Sequence, residues 1–223
     1  MRLISAAIKL TATCFLLLVA SLAYSKPVTV DLEIDFRDGK VWGGYGGTSF
    51  SYDGITVSAN PNALYRDNVD GYGILGGSEP DEIDHHELLT VWIDKSYYEK
   101  TGHLLTGVLL TDLFNAPDGG PSGEAGWVTL YDADNNILAQ FFVNAIYDSS
   151  NGEYYLNFGG SYAPDRIVFT AYMDPENGYT GSEFSVAGFT VAVNEPETLA
   201  ILGLGLLMLA FSGRRRRSLE PTA

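Results

Sequence analysis

The side chains that could do chemistry are concentrated in one short segment, residues 79–87, with the sequence EPDEIDHHE. This segment holds five carboxylates and two of the three histidines of the chain. Ca²⁺ prefers oxygen ligands from carboxylates and loop carbonyls. One interpretation is therefore a structural calcium site, with ligands Asp81, Glu82, Asp84 and Glu87. The alternative is a solvated acidic loop that caps one end of a β-domain.

A transition-metal site is a weaker interpretation of the same segment. Zinc and related metals are bound by histidine and carboxylate side chains that meet at one point. The segment runs into a predicted strand, where adjacent side chains point to opposite faces. We therefore expect the imidazoles of His85 and His86 to diverge instead of sharing a metal.

Two further motifs have structural interpretations. Residues 71–76 match the G-x-G-x-x-G pattern, but its nucleotide-binding version must open a helix. The run GSEP follows at 77–80, and this acidic, helix-breaking continuation predicts a flexible loop. Residues 132–136 begin like an EF-hand calcium loop but have Ile137 where that loop needs glycine. We therefore predict a hairpin turn there.

Aromatic side chains in glycine-rich loops are candidates for sugar binding, because a flat aromatic ring matches the apolar face of a pyranose. Four tyrosines meet this description: Tyr45, Tyr72, Tyr162 and Tyr179. The alternative is that each ring packs over a sheet edge and leaves its hydroxyl in water. The sequence alone does not separate the two interpretations.

The charge balance excludes one class of partner. The chain has 223 residues, with 28 acidic and 13 basic side chains and a formal net charge of −15. Within residues 26–195 there are 26 acidic and seven basic side chains, a net charge of −19. Binding to phosphates needs clustered lysine and arginine, so we expect no nucleic acid partner. The only cysteine, Cys14, precedes this region, so its fold has no disulfide.

The N-terminal residues 1–25 have the three parts of a secretory signal peptide. Arg2 and Lys9 provide a positive start, residues 14–20 (CFLLLVA) an apolar run, and residues 23–25 (AYS) a cleavage site with small residues. The apolar run is shorter than the ~20 residues of a membrane-spanning helix. We therefore predict export by the Sec machinery and removal of the segment by signal peptidase.

The C-terminal region resembles a stop-transfer signal. Residues 199–211 (LAILGLGLLMLAF) predict a short apolar helix, and Arg214, Arg215, Arg216 and Arg217 follow it. Arginines in this position are retained on the cytoplasmic side, so residues 218–223 form a cytoplasmic tail. At ~1.5 Å per residue this helix reaches about 20 Å, short of a ~30 Å hydrocarbon core. A marginal span of this kind suits a transient membrane anchor.

A sorting motif precedes this helix. Val193, Glu195, Pro196 and Thr198 follow the order of a V-P-E-P-x-T motif, with Asn194 in place of the first proline. The motif, the apolar helix and the arginine cluster together resemble the bacterial PEP-CTERM sorting signal, over residues 193–217.

The PEP-CTERM resemblance has several implications. It implies a Gram-negative host, an exosortase-like membrane protease that cuts near Pro196, and a precursor anchored in the inner membrane. The processed protein is then expected at the cell surface or in the extracellular matrix, in association with exopolysaccharide or biofilm. Residues 71–74, 82–84 and 87–89 also resemble, in this order, segments of exported domains that carry such tails, which implies a β-sandwich.

The remaining sequence predicts one all-β domain, a single jelly-roll-like β-sandwich over residues 26–192. Segments rich in Val, Ile, Thr and aromatic residues alternate with clusters of Gly, Pro, Asn and Asp, and no long segment has helical periodicity. The predicted strands are 28–36, 54–59, 87–94, 104–114, 127–131, 137–144, 154–158, 166–173 and 184–193. Residues 96–100 predict a single helical turn.

Three functions remain open at this point. The first is a non-catalytic surface or matrix protein that binds exopolysaccharide. The second is a carbohydrate-binding module with a defined glycan ligand. The third is a polysaccharide-acting hydrolase, since glycoside hydrolysis needs only two suitably spaced carboxylates. No G-x-S-x-G or S-x-x-K motif is present, so we do not expect an enzyme.

Overall fold

The fold consists almost entirely of β-strands. The computed structural model describes residues 32–76, 80–114, 123–145, 152–177 and 181–193. In these ranges the strands form two six-stranded antiparallel sheets, which is consistent with a β-sandwich and confirms the all-β prediction. The strands are β1 (Ile34–Asp35), β2 (Ser49–Tyr52), β3 (Ile55–Asn60), β4 (Ala63–Arg66), β5 (Tyr72–Leu75), β6 (Leu88–Ile93), β7 (His103–Thr111), β8 (Ala125–Tyr131), β9 (Ile137–Asn144), β10 (Tyr154–Tyr162), β11 (Arg166–Ala171) and β12 (Ser185–Val193).

The first sheet has the strand order β10-β7-β12-β5-β4, with the short β1 also paired to β12. The second sheet has the order β2-β3-β6-β11-β8-β9. In β6 and β11, buried residues alternate with more exposed ones. This period of two is the pattern of a sheet that buries one face and leaves the other towards solvent.

An aromatic cluster forms part of the core. Phe36 contacts Trp42, Tyr72 and Phe189 edge-on, with ring centroids 4.7, 5.1 and 5.7 Å apart. Phe189 also contacts Phe169 of the second sheet, with a centroid distance of 6.1 Å. Edge-to-face pairs at these distances add to the stability gained from burial alone.

The described ranges contain one α-helix, α1 (Lys95–Thr101), where the sequence predicts a helical turn at 96–100. Its N-cap is Asp94, whose carboxylate accepts a hydrogen bond from the Ser96 amide at 2.9 Å. This bond lowers the pKa of the Asp94 carboxyl. The helix ends at Gly102, which adopts the left-handed conformation at φ 69°. Pro175–Asn177 forms a short 3₁₀ turn.

The prediction of a flexible loop at residues 71–76 was wrong. Residues Tyr72–Leu75 form the buried strand β5, which pairs with β4 and β12. Gly73 is required there because a Cβ atom would lie 1.7 Å from the carbonyl oxygen of Asp81. The glycines thus allow one backbone segment to approach another, as is common for glycine within strands.

The predicted N-terminal and C-terminal signals lie largely outside the described residues. This applies to the signal peptide, to the motif residues Glu195, Pro196 and Thr198, to the apolar helix 199–211 and to the arginine cluster 214–217. Val193, the first motif residue, is the last residue of β12 and pairs with His103. Within the described ranges, no helix has the length and apolar character that crossing a bilayer requires.

Candidate functional site

Residues 81–83 belong to the connection between β5 and β6 and position Glu82. The Ile74 amide donates to the Glu82 carbonyl at 3.3 Å, and the Ile83 amide donates to the Phe184 carbonyl at 2.8 Å. The Ser185 hydroxyl donates to the Asp81 carbonyl at 3.1 Å. The segment is therefore held between β5 and the start of β12.

The side chains of three glutamates come together beside this segment: Glu82, Glu124 and Glu183. One carboxylate oxygen of each lies within 4.8 Å of the others, and no other set of three or more Asp, Glu, His or Cys does so in the described ranges. Glu124 immediately precedes β8 and is 1% exposed. It accepts a hydrogen bond from the Phe114 amide. We call this group the glutamate cluster.

The glutamate cluster holds a proton more readily than it holds three charges. Burial, followed by the charges of Asp112, Glu183, Glu124 and Asp81, raises the pKa of Glu82 to about 10. The Oε2 atom of Glu82 is buried without a hydrogen-bond partner. A protonated carboxyl lowers the repulsion in such a group, and a bound cation is the other way to do so.

A second pair of carboxyls lies nearby. Asp112 follows β7 at φ 58°, and burial, followed by the charges of Asp70, Asp81 and Asp67, raises its pKa to about 7. Its side chain is hydrogen-bonded to that of Asp70, whose pKa burial also raises. This part of the domain therefore carries an excess of acidic groups on several connections.

The structure changes the predicted set of calcium ligands. Of the four predicted residues, Glu82 alone belongs to the glutamate cluster. Glu87 is 3% exposed and accepts hydrogen bonds from the Asn62 amide group at 2.7 Å and the Asp84 backbone amide at 3.0 Å. Asp84 and Glu87 are thus buried parts of a local turn, so these two residues do not belong to a solvated loop.

The two histidines do not diverge. They lie in the turn before β6, not on the strand, and His86 has a φ of 73°. Their ring centroids are 4.4 Å apart. The expectation of opposite faces was wrong because the strand begins only at Leu88.

The tyrosines that the sequence suggested for sugar binding lie in different environments. Tyr72 is fully buried and its hydroxyl donates to the Gly43 carbonyl at 2.7 Å, so it is not available to stack on a sugar. Tyr45 is 65% exposed and contacts Tyr65 edge-on. Tyr162 is partly buried against the core, and Tyr179 lies outside the described residues.

The predicted hairpin at residues 132–136 is confirmed. It connects β8 and β9, and the Asp132 carboxylate accepts hydrogen bonds from the amides of Asp134 and Asn136 at 3.0 and 2.8 Å. Asn135 adopts a φ of 64°. The carboxylate that an EF-hand would use for calcium therefore organises the turn itself.

The outward side of the second sheet carries aromatic residues that the sequence analysis did not select. Strand register places Trp92 of β6, Arg166 of β11 and Tyr131 of β8 side by side. The guanidinium carbon of Arg166 lies 4.2 Å from the ring centroid of Tyr131 and 5.3 Å from that of Trp92. Trp92 is 45% exposed, so this stack faces solvent.

A second aromatic group lies on the same side of the sheet. Trp127 of β8 pairs in register with Phe142 of β9, with ring centroids 4.9 Å apart. Tyr172 contacts Phe142 edge-on at 5.3 Å. Trp127 and Tyr131 are four residues apart on β8, or about 13 Å at ~3.3 Å per residue.

One row of residues, three polar and one apolar, separates the two aromatic groups. Thr90, Val168, Thr129 and Gln140 form the row between them by strand register. The Gln140 amide group donates to the Thr129 hydroxyl at 3.1 Å. We call the outward side of β6, β11, β8 and β9 the outer face. Side chains alternate between the two sides of a strand, so the sequence indicates which residues of each strand share a side. Which strands lie next to one another depends on the strand order, which the sequence does not give.

The comparisons with known proteins leave the function open. No family model matches the chain, and no curated protein matches it. Among solved structures, it is similar to the crystal structure of a DUF4465 family protein from Bacteroides caccae ATCC 43185, with a TM-score of 0.36 and 12% identity over 77% of this chain and 97% of that chain. A similarity at this level identifies no function.

Proposed function

We propose that this protein is an exported, non-catalytic component of the cell surface or extracellular matrix that binds polysaccharide through the outer face. The observation that carries the proposal is the pair of aromatic groups on one sheet surface, the Trp92–Arg166–Tyr131 stack and the Trp127–Phe142 pair, in which Trp92 and Phe142 are 45% and 40% exposed. A defined glycan ligand, as in a carbohydrate-binding module, is the more specific form of the same proposal.

The chemistry of the outer face supports sugar binding. Aromatic rings present flat apolar surfaces to the C–H groups of a pyranose, and the partly exposed Thr90 and the exposed Gln140 between them offer donors and acceptors for hydroxyl groups. The spacing of about 13 Å between the aromatic groups along β8 suits an extended chain better than a single sugar. The aromatic residues that contact the ligand in this proposal are Trp92, Trp127, Tyr131 and Phe142.

The sorting part of the proposal rests on the terminal segments. A signal peptide over residues 1–25 would direct export, and the helix 199–211 with its arginines would anchor the precursor in the inner membrane. An exosortase-like protease would then cut near Pro196, just after β12. Between these signals we propose a single jelly-roll-like β-sandwich.

The burial of Glu124 in the glutamate cluster supports a non-catalytic function over a hydrolase. A glycosidase needs both carboxyls within reach of the scissile bond. Glu124 is 1% exposed and accepts a hydrogen bond from the Phe114 amide, so a sugar would not reach it. The high pKa of Glu82 follows from the same burial.

Binding is tested by titrating the purified protein with a panel of soluble polysaccharides, including that of its own host, and comparing it with the Trp92→Ala and Trp127→Ala variants. Loss of one stacking platform should weaken binding roughly 5- to 100-fold, the range of about 1–3 kcal/mol. Tyr52→Ala is a matched control. Tyr52 has a similar exposure to Trp92, 48%, but its ring contacts Trp42 and does not belong to the outer face. Equal affinities in all four proteins would contradict the proposal.

Sorting is tested separately, by following the localisation of the precursor in its host. Deletion of Arg214, Arg215, Arg216 and Arg217 should leave the protein mis-sorted, and the variant Pro196→Ala should accumulate as the uncut precursor. Normal surface display of the arginine deletion would contradict the sorting proposal without affecting the glycan-binding one.

A further inference from the structure

The charge of the outer face differs from that of the rest of the domain. Residues 26–195 hold 26 acidic and seven basic side chains. However, the six strands of the second sheet contain no Asp, Glu or Lys, and Arg166 is their only charged residue. In the first sheet the strands contain one carboxylate, Asp35 of β1. The acidic groups therefore lie almost entirely on the connections, and Arg166 is the one charged residue on the strands of the outer face.

Arg166 is held in place but is not neutralised. No carboxylate of the described residues forms an ion pair with it, since the ion pairs there involve Arg37, Lys95 and Lys100. Its Nε atom is buried without a hydrogen-bond partner, while the Trp92 and Tyr131 rings flank the guanidinium. Only the Nη nitrogens remain for a ligand.

A stacked guanidinium with free Nη groups is suited to one kind of ligand group. Arginine donates two parallel hydrogen bonds to a carboxylate or sulfate, and its plane is pre-oriented by the aromatic stack. The flanking rings would contact the sugar that carries the anion. Because stacking fixes the side chain before binding, less conformational entropy is lost in the complex.

We propose that the ligand of the outer face is an acidic polysaccharide, a pyranose chain with carboxylate groups, and that Arg166 is its anion-binding residue. This inference rests on the proposed function and adds the substrate class to it. Charge complementarity is its specific support: in a domain of this acidity, an anionic chain would be repelled by the acidic connections, whereas the strands of the outer face carry an arginine and no carboxylate.

The test compares one polysaccharide before and after removal of its charge. Polygalacturonate is titrated into the purified full-length chain, and so is the same polymer with its carboxyl groups reduced to alcohols. Polygalacturonate should bind at least roughly tenfold more tightly, the loss expected for one charge-assisted hydrogen-bond pair, and its affinity should fall as NaCl rises. Dextran sulfate and dextran form a second pair, which separates carboxylate from sulfate recognition.

Two variants assign the effect to Arg166. Arg166→Gln should lose roughly tenfold affinity for polygalacturonate but not for the reduced polymer. Lys40→Gln removes one exposed positive charge outside the second sheet and should change neither. Sedimentation of the free protein should show a monomer, because a dimer formed through the outer face would cover Arg166.

The outcomes separate this inference from the proposed function. Equal affinity for the polymer before and after reduction, or equal affinity of the Arg166→Gln and Lys40→Gln variants, would overturn the acidic ligand but leave polysaccharide binding intact. Stronger binding of dextran sulfate than of polygalacturonate would overturn the carboxylate assignment. The absence of binding to every polymer would overturn both proposals. The reduction experiment needs no variant, so it remains decisive if Arg166→Gln does not fold.

Discussion

The carboxylate of Glu87 accepts a hydrogen bond from the Asn62 side chain at 2.7 Å and one from the Asp84 backbone amide at 3.0 Å. The residue is 3% exposed, so these donors, and not water, satisfy its side-chain oxygens. Glu87 therefore stabilises the turn that leads into β6, a role that differs from the calcium-ligand role that was one interpretation of the sequence.

Glu87→Ala should destabilise the domain by about 2–4 kcal/mol, because a buried donor, the Asp84 amide, and a partly buried one, the Asn62 side chain, lose their acceptor. Chemical unfolding followed by circular dichroism measures the loss. Glu99→Ala is the matched control, since Glu99 forms an exposed ion pair with Lys95 and should change stability by less than about 0.5 kcal/mol. A Glu87→Ala variant as stable as this control would show that the turn does not depend on the carboxylate.

The stability of the domain should fall as pH rises from 5 to 8. The pKa values of Asp112 and Glu82 in the fold are raised to about 7 and about 10. Below the pKa of these carboxyls in the unfolded chain, both states are protonated and the contribution to stability is fully present. Above it, the unfolded chain ionises while the fold holds the carboxyls protonated, so stability is lost until the pH has passed the folded pKa. Melting temperatures measured across this range should therefore decrease.

The same linkage predicts a stabilising substitution. Glu82→Gln keeps the shape of the protonated side chain but cannot ionise, so it should raise the melting temperature at pH 8 by roughly 3–6 °C. Its gain should shrink at pH 5. Glu99→Gln removes one exposed charge and controls for the general reduction in negative charge. An equal gain in both variants would mean that the burial of Glu82 is not the cause.

The calcium hypothesis now applies to Glu82, Glu124 and Glu183, whose carboxylate oxygens lie within 4.8 Å of one another. It predicts that Ca²⁺ at a hundredfold excess over its Kd adds about 2.7 kcal/mol of stability. NaCl at matched ionic strength should have a smaller effect, and Glu82→Gln should remove the difference. If Ca²⁺ and NaCl act alike on the unmodified protein at pH 8, protons alone neutralise the cluster.

The fold was more predictable than the sites, for physical reasons. Strands such as β6, β9 and β11 are runs of six or more residues rich in Val, Ile, Leu, Thr and aromatic side chains, and this local compositional signal can be read without tertiary information. The strands β2 and β4 have four residues each, too few to establish a period. Strand β5 was missed because its glycine suggested a turn, whereas Gly73 serves a close backbone approach.

The sites depend on pairings that no local pattern contains. Glu82 was selected because acidic residues surround it in sequence. Glu124 and Glu183 have few such neighbours, and the fold alone brings them to Glu82. Arg166 and Trp92 are likewise distant in sequence and meet because β11 pairs with β6. Strand order would have been needed to find either group.

Gly73→Ala should be strongly destabilising, by about 3 kcal/mol or more, because the new Cβ atom would lie 1.7 Å from the Asp81 carbonyl oxygen. The backbone of segment 81–83 would have to move away from β5. Gly181→Ala is the control: a Cβ there meets nothing within 4 Å, so its effect should stay within about 0.5 kcal/mol. Similar urea midpoints for the two variants would contradict this packing of β5.

The last prediction separates the outer face from the loop tyrosines as the sugar-binding surface. Tyr45 and Trp127 are both aromatic, but Tyr45 lies in the loop before β2 at 65% exposure, and Trp127 contacts Phe142 on the outer face. Trp127→Ala should weaken polysaccharide binding roughly 5-fold or more, whereas Tyr45→Ala should leave it unchanged. Titration of both variants with the host polysaccharide measures this. The opposite ranking would move the binding site to the loops, where the sequence first suggested it.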